Sequence, residues 1–272
     1  MYKKITVQKD FEGLRLDKFL AKNFDFSLRK AKFLIKNNLV LVNSSIQSPH
    51  YKVKWNDEIL IKEKDELKNF SKDIKILVQR KDFFAVEKPP FLHSSAGKDE
   101  ICLENILNKK FKSFILLNRL DYLTGGIVIG CFEEKWKSLY KSYQEQGRVE
   151  KFYLALVKGK LDNKIVIKYK IDDKKRKKVK VLNEKEKDFL RYSFITPLHF
   201  FDNLNKTLIL IKILKGKRHQ IRAHLSFIGH PIVGDNLYGE KDNSNFLFLH
   251  HFKIRFPNFM ACSFPFWVKV EQ

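Results

Sequence analysis

The chain has 272 residues, of which 54 are Lys or Arg and 31 are Asp or Glu, so its formal net charge is +23 and its sequence pI is near 9.8. The 44% hydrophobic content and the 25 Phe exclude a disordered polymer, and the length allows one large domain with a small appendage. Each Lys or Arg that neutralises a phosphate releases counterions, so this excess of positive charge favours a phosphate-rich partner.

The sequence gives no indication of a membrane or an extracellular destination. Residues 1–13 are charged and lack an apolar signal core, and no run approaches the roughly eighteen apolar residues of a membrane-spanning helix. No segment is amphipathic and basic enough to favour an anionic membrane surface over a nucleic acid. We therefore expect a cytoplasmic protein that does not bind membranes.

The widely spaced Cys102, Cys131 and Cys262 indicate neither disulfides nor a zinc site.

Residues 14–61 have the pattern of a compact N-terminal unit. Leu16, Phe19 and Leu20 have helical spacing, and Ser27 is placed to cap a second helix. One predicted face of that second helix carries Leu28, Ala31 and Ile35, and another carries Arg29, Lys32 and Lys36.

The end of this unit is marked by a change in composition. Asn37-Asn38 suits the turn that ends a helix, and residues 39–43 are predicted to form a short strand. The charged segment 62–72 is predicted to be a linker. We therefore place the first domain at residues 1–66 and the second at residues 73–272.

The second domain is predicted to be α+β, with a mixed, largely antiparallel sheet flanked by helices, because strand patterns outnumber helical ones and do not alternate with them. The predicted strands span residues 74–78, 83–87, 127–129, 152–157, 165–169, 207–214 and 246–250, and the predicted helices span residues 103–111, 133–146 and 220–227. Between residues 158 and 187 there are thirteen Lys or Arg and five acidic residues. Residues 172–178 are predicted to form a hairpin tip, which either contacts RNA or is simply solvated.

Two distant segments combine one carboxylate with one guanidinium in glycine-rich, otherwise apolar sequence. The first is Arg-Leu-Asp-Tyr-Leu-Thr-Gly-Gly at residues 119–126, and the second is Gly-Lys-Arg-His-Gln-Ile-Arg at residues 216–222. Asp121 precedes a predicted strand, where a tight connection lets the backbone approach a ligand. On residue types alone, Asp121 could instead cap a turn, and Arg222 could lie on a helix surface.

Together these segments resemble the signature motifs of the RluA/RluD-type RNA pseudouridine synthases, which modify large-subunit ribosomal RNA and some transfer RNAs. The core motif of that family is Arg-Leu-Asp, then two residues, then Thr and a further Gly. Residues 119–121, Thr124 and Gly126 match it. Asn118 stands where His is usual, and Gly125 stands where Ser is usual.

The resemblance implies a role for several side chains. Asp121 would be the catalytic carboxylate, and Arg222 would be its partner, favouring the ionised form and fixing its orientation. Tyr153, in Lys-Phe-Tyr-Leu-Ala-Leu-Val, matches the motif whose Tyr packs against the target base, although spacing alone predicts a core residue. Lys88, in the opening Lys-Pro motif, would contact RNA phosphate or position the site, and Arg119 would contact RNA.

The N-terminal unit resembles an S4-type RNA-binding module. The match comprises Arg-Leu-Asp-Lys-Phe-Leu at residues 15–20 and the helix and strand patterns that follow, with Asn38 where the module usually has Gly. It implies that Arg29, Lys32 and Lys36 meet RNA phosphates. An isolated helix with the same face would simply be solvated.

The sequence therefore predicts an enzyme that isomerises specific uridines to pseudouridine in structured RNA, with large-subunit ribosomal RNA as the favoured target. The alternatives are a transfer-RNA target, an inactive RNA-binding ribosome-assembly factor, and a hydrolase of N-glycosidic bonds, which usually needs two carboxylates. The sequence has no Gly-rich phosphate loop and no cluster with metal-ligand spacing. We expect no cofactor, no metal and a monomer.

Overall fold

The computed structural model describes residues 2–24, 26–36, 39–62, 74–95, 102–174, 178–240, 242, 244 and 246–268. It divides into two compact units. The first unit comprises Met1–Ile74 and Phe91–Lys112, and the second comprises Lys75–Pro90 and Ser113–Gln272. No helix within the described ranges is long and apolar enough to cross a membrane.

The first unit contains a four-stranded antiparallel sheet in the order β1-β4-β2-β3 and short helices. Its strands are β1 (Tyr2–Thr6), β2 (Val40–Val42), β3 (Ser45–Ile46) and β4 (Glu58–Lys62). Its helices are α1 (Leu16–Asn23), α2 (Leu28–Lys36) and α3 (Leu103–Leu107). Asn43 and Ser44 join β2 to β3 with φ of 49° and 64°, a left-handed turn that suits a two-residue hairpin.

The two predicted helices of this unit are confirmed, with one correction. Ser27 caps α2, because its Oγ accepts a hydrogen bond of 3.1 Å from Lys30 N. Ala31 and Ile35 are buried as predicted, but Leu28 is 46% exposed, since it stands in the first turn of the helix. The predictions for Asn37-Asn38 and for linker residues 63–72 fall outside the described residues.

The second unit is built on a large mixed sheet. Its strands are β5 (Ile76–Gln79), β6 (Phe83–Lys88), β7 (Ile115–Leu116), β8 (Gly125–Cys131), β9 (Glu150–Lys158), β10 (Ile165–Ile167), β11 (Tyr169–Asp172), β12 (Lys180–Lys185), β13 (Ser193–Phe201), β14 (Lys206–Ile213), β15 (Leu249–Phe256) and β16 (Phe259–Cys262), and its helices are α4 (Glu134–Glu145) and α5 (Gln220–Phe227). The described sheet has the order β10-β13-β14-β9-β15-β8-β6-β5, with β16 beside β15 and β7 beside β8. The β15–β8 pair is parallel and the other pairs are antiparallel. The predicted mixed, largely antiparallel sheet is confirmed.

Several predicted elements have different limits in the structure. The segment 165–169 divides between β10 and β11, the strand placed at 246–250 begins at Leu249, and the helix placed at 103–111 ends at Leu107. Strand β13 was not predicted from the sequence; it lies between β10 and β14 although it contains Pro197. A register shift between Pro197 and His199 accommodates this residue, because proline cannot donate a ladder hydrogen bond.

At the centre of the sheet, β15 pairs with both β8, which follows the Asp121 motif, and β9, which carries Tyr153. In the β15–β8 pair, His250 lies opposite Gly125 and His251 lies opposite Gly126. Gly126 has a φ of +110°, and a Cβ there would lie 2.6 Å from His251 N, so this position requires glycine. The same His251 lies opposite Tyr153 of β9. The chain after Asp121 and the strand bearing Tyr153 are thus both fixed against β15.

Strands β11 and β12 form a separate two-stranded ribbon, which we call the basic ribbon (residues 169–185). Its apolar residues pack against α5 and the segment that follows it. The cluster comprises Ile171, Val179, Ala223 and Tyr238. The tip predicted at residues 172–178 lies partly outside the described residues, which omit 175–177. The ribbon therefore packs against the helix that carries Arg222.

Candidate active site

Asp121 lies in the turn that leads into β8. The turn is closed by its backbone, because Thr124 N donates a hydrogen bond of 3.0 Å to the Asp121 carbonyl oxygen. The Asp121 side chain is 27% exposed. Its carboxylate is therefore available for ligand chemistry, because the turn is closed by the Asp121 backbone and not by its side chain.

Arg222 reaches this carboxylate from α5. Its side chain is 4% exposed, and its Nη1 donates a hydrogen bond of 3.3 Å to Asp121 Oδ2. The predicted contact between the two motifs is thus present in the structure. Because its side chain is buried, Arg222 is not the helix-surface residue that the residue types alone left possible.

The closest partner of Arg222 is a residue that the sequence analysis did not select. Arg222 Nε donates to Asp235 Oδ2 at 2.7 Å, and Nη2 donates to Asp235 Oδ1 at 2.7 Å, in the paired geometry that suits guanidinium and carboxylate. Asp235 Oδ1 also accepts backbone hydrogen bonds from Leu237 and Tyr238. Burial alone would lower the pKa of Arg222, but the bonds to Asp235 outweigh it and raise that pKa above its ordinary value.

His219 faces the same carboxylate from the start of α5. Its Nε2 lies 3.7 Å from Asp121 Oδ2. Burial lowers the pKa of His219, while the nearby Asp121 carboxylate partly offsets the effect. The imidazole is therefore neutral near pH 7. His219 was not among the predicted site residues.

Tyr153 is buried in the sheet with its ring stacked on another ring. The Tyr153 and His251 centroids are 4.5 Å apart with an interplanar angle of 16°. His251 Nδ1 lies 2.6 Å from the Ile127 carbonyl oxygen, which holds the imidazole in place, and burial lowers the pKa of His251 to about 3. Burial, followed by the charge of Asp121, raises the pKa of Tyr153. The phenol is therefore neutral, and one of its faces is covered by His251.

Lys88 is fully buried at the end of β6. Its Nζ donates a hydrogen bond of 2.8 Å to the Pro89 carbonyl oxygen. Burial lowers the pKa of Lys88 to about 7, and the charge of Asp121 opposes that shift. A side chain without solvent exposure does not meet RNA phosphates on a surface. The structure therefore favours the second sequence-based alternative, in which Lys88 positions the site.

Four further side chains are predicted to contact RNA. Arg119 is exposed two residues before Asp121. In the first unit, Lys32 Nζ lies 3.7 Å from Asp17 Oδ2, and Lys36 Nζ lies 4.9 Å from the centre of the Phe91 ring. The side chain of Arg29 falls outside the described residues. Within the second unit, the structure thus groups Asp121, Arg222, His219, Tyr153 and Lys88.

The cluster suits acid–base or nucleophilic chemistry by one carboxylate. Within the described ranges, no three His, Cys, Asp or Glu residues are grouped so that they could hold a metal ion. The sequence signal that could have identified Asp235 was the Gly-Asp step at residues 234–235 in the segment after α5. The contact between His219 and Tyr238 could not be predicted from local sequence, because it depends on tertiary packing around the basic ribbon.

Comparison with known proteins identifies both units. A family model described as RNA pseudouridylate synthase matches residues 82–227, and one described as S4 domain matches residues 14–59. Over 257 residues the chain is 32% identical to an uncharacterized RNA pseudouridine synthase of Aquifex aeolicus, spanning 86% of this chain and 79% of that protein. Over 288 residues it is 28% identical to the ribosomal large subunit pseudouridine synthase C of Haemophilus influenzae, spanning 93% and 87%.

Solved structures support the same fold. The human protein named RNA Pseudouridylate Synthase Domain Containing 1 superposes with a TM-score of 0.62 at 23% identity, over 73% of this chain and 86% of that one. Its counterpart named Domain Containing 4 gives a TM-score of 0.57 at 19% identity, over 75% and 94%. The predicted S4 module and the predicted α+β pseudouridine synthase fold are confirmed.

Proposed function

This chain belongs to the RNA pseudouridylate synthase family, and from that membership we propose that it isomerises specific uridines of large-subunit ribosomal RNA at a site built on Asp121. The observation that carries the proposal is the placement of this carboxylate. It is partly exposed, and it lies 3.3 Å from the guanidinium of Arg222, which is itself buried and held by Asp235. A ligand can therefore reach Asp121, while Arg222 is held in position by the buried Asp235.

The reaction is an isomerisation and needs no co-reactant. The bond from ribose C1′ to uracil N1 breaks, a bond from C1′ to C5 forms, C5 loses its proton and N1 gains one. Asp121 has the chemistry to attack C1′ or the uracil ring, or to remove a proton from the ribose. Each route requires a carboxylate that is ionised and held in place. The guanidinium of Arg222, itself fixed by Asp235, holds the Asp121 carboxylate in place.

Recognition of the base requires that it leaves its helical stack, because its reacting atoms are shielded there. We assign the ring of Tyr153 to the extruded uracil. His251 covers one face of the Tyr153 ring, so the base would contact the part of the ring that His251 leaves uncovered. The raised pKa of Tyr153 keeps its hydroxyl protonated, and a protonated phenol is a hydrogen-bond donor to the uracil or the ribose.

Three features support ribosomal RNA as the target. The chain carries an S4 domain, and one relative is named a ribosomal large subunit pseudouridine synthase. The net charge of +23 suits a long polyanion. We extend the proposal to the surfaces that reach this RNA: Arg119 near the site, and Arg29, Lys32 and Lys36 in the S4 unit.

The target is tested by mapping pseudouridines in total RNA from cells with and without the gene, followed by treatment of the deficient RNA with purified protein. We expect a position in large-subunit ribosomal RNA to lose the modification without the gene and to regain it with the protein. Loss confined to transfer RNA would replace the proposed target. Free uracil among the products would indicate hydrolysis, and RNA binding without any modification would indicate an assembly factor.

A further inference from the structure

The hydroxyl of Tyr238 links the basic ribbon to the candidate active site. Tyr238 is buried, and its hydroxyl accepts a hydrogen bond of 2.8 Å from Val179 N, next to β12 of the ribbon. The same oxygen lies 3.0 Å from Nδ1 of His219. One side chain therefore joins the backbone of the ribbon to the imidazole that faces Asp121.

These two contacts determine which nitrogen of His219 carries the proton. A tyrosine hydroxyl has a single hydrogen, and the Val179 N–H uses a lone pair, so that hydrogen is still available to an acceptor. Among the described residues, the acceptor that the structure places within reach is Nδ1 of His219. Leaving the hydrogen unpaired in a buried position would cost free energy. Nδ1 therefore accepts, and the proton of the neutral ring is on Nε2.

The other side of the imidazole favours the same tautomer. Nε2 lies 3.7 Å from Asp121 Oδ2, which is longer than a hydrogen bond, so the contact is electrostatic. With its proton on Nε2, the ring points an N–H dipole at the carboxylate. With its proton on Nδ1, the ring would point a lone pair at the same negative charge. Tyr238 and Asp121 thus act in the same direction on His219.

The backbone of His219 is also held in an uncommon conformation. It precedes the first turn of α5 with φ 55° and ψ 16°, in the left-handed region. Residues with a Cβ persist there when their surroundings impose it, and such positions cluster at functional sites. The His219 carbonyl oxygen accepts a hydrogen bond of 2.9 Å from Ala223 N, which continues into the helix. The imidazole is consequently fixed by its backbone as well as by Tyr238.

The basic ribbon is seated on α5 by further contacts. Lys217 Nζ donates a hydrogen bond of 3.1 Å to the Ile171 carbonyl oxygen, and His224 Nε2 lies 2.9 Å from the Tyr169 carbonyl oxygen. The charged side chains of Lys170 and Lys180 in the ribbon, and of Lys168 just before it, are exposed. Phosphate bound to these lysines would act on the same strands whose backbone fixes Tyr238 and, through it, His219.

We propose that Tyr238 is a positioning residue, which sets the His219 tautomer so that Nε2–H faces Asp121 and thereby couples the seating of the basic ribbon to the catalytic carboxylate. This inference rests on the proposed function of Asp121. It assigns a role in the site to two side chains that the sequence motifs leave without one.

The first test measures the tautomer of His219 directly and does not require catalytic activity. Nitrogen-15 NMR of histidine-labelled full-length protein distinguishes protonated from unprotonated ring nitrogens, and His219→Asn identifies the His219 signals. We expect the Nε2–H form in the wild type and a mixture of tautomers in Tyr238→Phe. Tyr192→Phe is the matched control, because it removes a hydroxyl bonded to the Glu186 carbonyl near the ribbon and does not contact His219. An Nδ1–H form in the wild type, or unchanged signals in Tyr238→Phe, would overturn the proposal.

The second test measures catalysis on ribosomal RNA. We expect Tyr238→Phe to lower kcat about three- to tenfold, the size of one net hydrogen bond, with KM for RNA unchanged. A rise in KM with kcat unchanged would show that the hydroxyl only holds the ribbon, and would refute the coupling. If the wild-type protein proves inactive, the proposed function fails, while the NMR result still decides the tautomer.

A double-mutant cycle separates coupling from general damage. His219→Asn suits the left-handed backbone and keeps an acceptor at the δ position, but its side chain does not extend to the position of Nε2. We expect Tyr238→Phe to reduce kcat in the wild-type background and to add no further loss in the His219→Asn background. Additive losses, with both variants folded by circular dichroism, would mean that Tyr238 acts independently of His219.

Discussion

Asp235 holds Arg222 through two parallel hydrogen bonds, each of 2.7 Å, and leaves Nη1 as the guanidinium nitrogen that reaches Asp121. The ion pair of the candidate site is therefore a chain of three charged groups. Asp235 is fully buried and fixes the guanidinium, and Asp121 is the partly exposed end of the chain. The orientation of the Asp121 carboxylate therefore depends on Asp235, which acts on it through Arg222.

Replacing Asp235 with Asn tests this chain of charges. Asp235→Asn keeps the shape but removes the charge that compensates buried Arg222, so we expect the free energy of unfolding to fall by about 3 kcal/mol. Isomerisation would slow as well, because Arg222 is released from its position. Urea unfolding and turnover are measured beside Asp162→Asn, whose carboxylate is 61% exposed. Equal stability of the two variants would show that Asp235 does not hold Arg222 in solution.

Arg222→Lys tests whether the planar guanidinium is needed or only its charge. Lysine cannot form the paired bonds to Asp235 and reach Asp121 at the same time. We expect kcat to fall on the order of a hundredfold and the affinity for RNA to stay unchanged, because Arg222 is buried. Arg255→Lys is the control, since Arg255 is an exposed arginine paired with Glu150. Weaker RNA binding with normal kcat would instead indicate a phosphate contact.

The buried lysines predict how stability depends on pH. Burial lowers the pKa of Lys88 to about 7 and that of Lys151 to about 8, from an ordinary value of 10.5. Between about pH 7 and pH 10.5 the unfolded chain therefore holds more protons than the folded one. The free energy of unfolding rises with pH across this window, and the contribution of these lysines is lost as pH falls through the folded pKa.

Urea unfolding at intervals from pH 7 to pH 10 measures this rise. One pKa unit corresponds to about 1.4 kcal/mol, so the slope is large enough to detect. We expect Lys88→Met to flatten it, and Lys141→Met, at an exposed position of α4, to leave it unchanged. The same slope in Lys88→Met and in the wild type would mean that Lys88 keeps its proton in the folded protein.

Local patterns in the sequence were sufficient to predict α5, because its apolar spacing and its limits at Gln220 and Phe227 are clear. They failed for β13, where Pro197 indicated a break and a bulge permits a strand. The contact between Asp121 and Arg222 was predicted from the motifs. The paired bonds of Arg222 to Asp235 were not, because they depend on how the turn after α5 folds back on the helix.

Gly126 tests the packing that holds the Asp121 turn against β15. Gly126→Ala would place a Cβ against the backbone of His251, so we expect a loss of several kcal/mol from the combined strain and clash. Gly229→Ala is the matched control, because Gly229 also has a positive φ, of 84°, but nothing lies within 4 Å of its added Cβ. Its expected loss is about 1 kcal/mol. Similar losses by thermal unfolding would mean that β8 and β15 are not closely packed at Gly126.

The most direct test of the account is tritium release from ribosomal RNA labelled at uracil C5, because C5 loses its hydrogen when the new carbon–carbon bond to C1′ is made. The wild-type protein is expected to release tritium in proportion to the pseudouridine produced, and Asp121→Asn to release it at least a thousandfold more slowly, on the order expected for loss of an essential group. Folding of the variant is checked by circular dichroism. Equal release by the two proteins would contradict the assignment of Asp121 as the catalytic carboxylate.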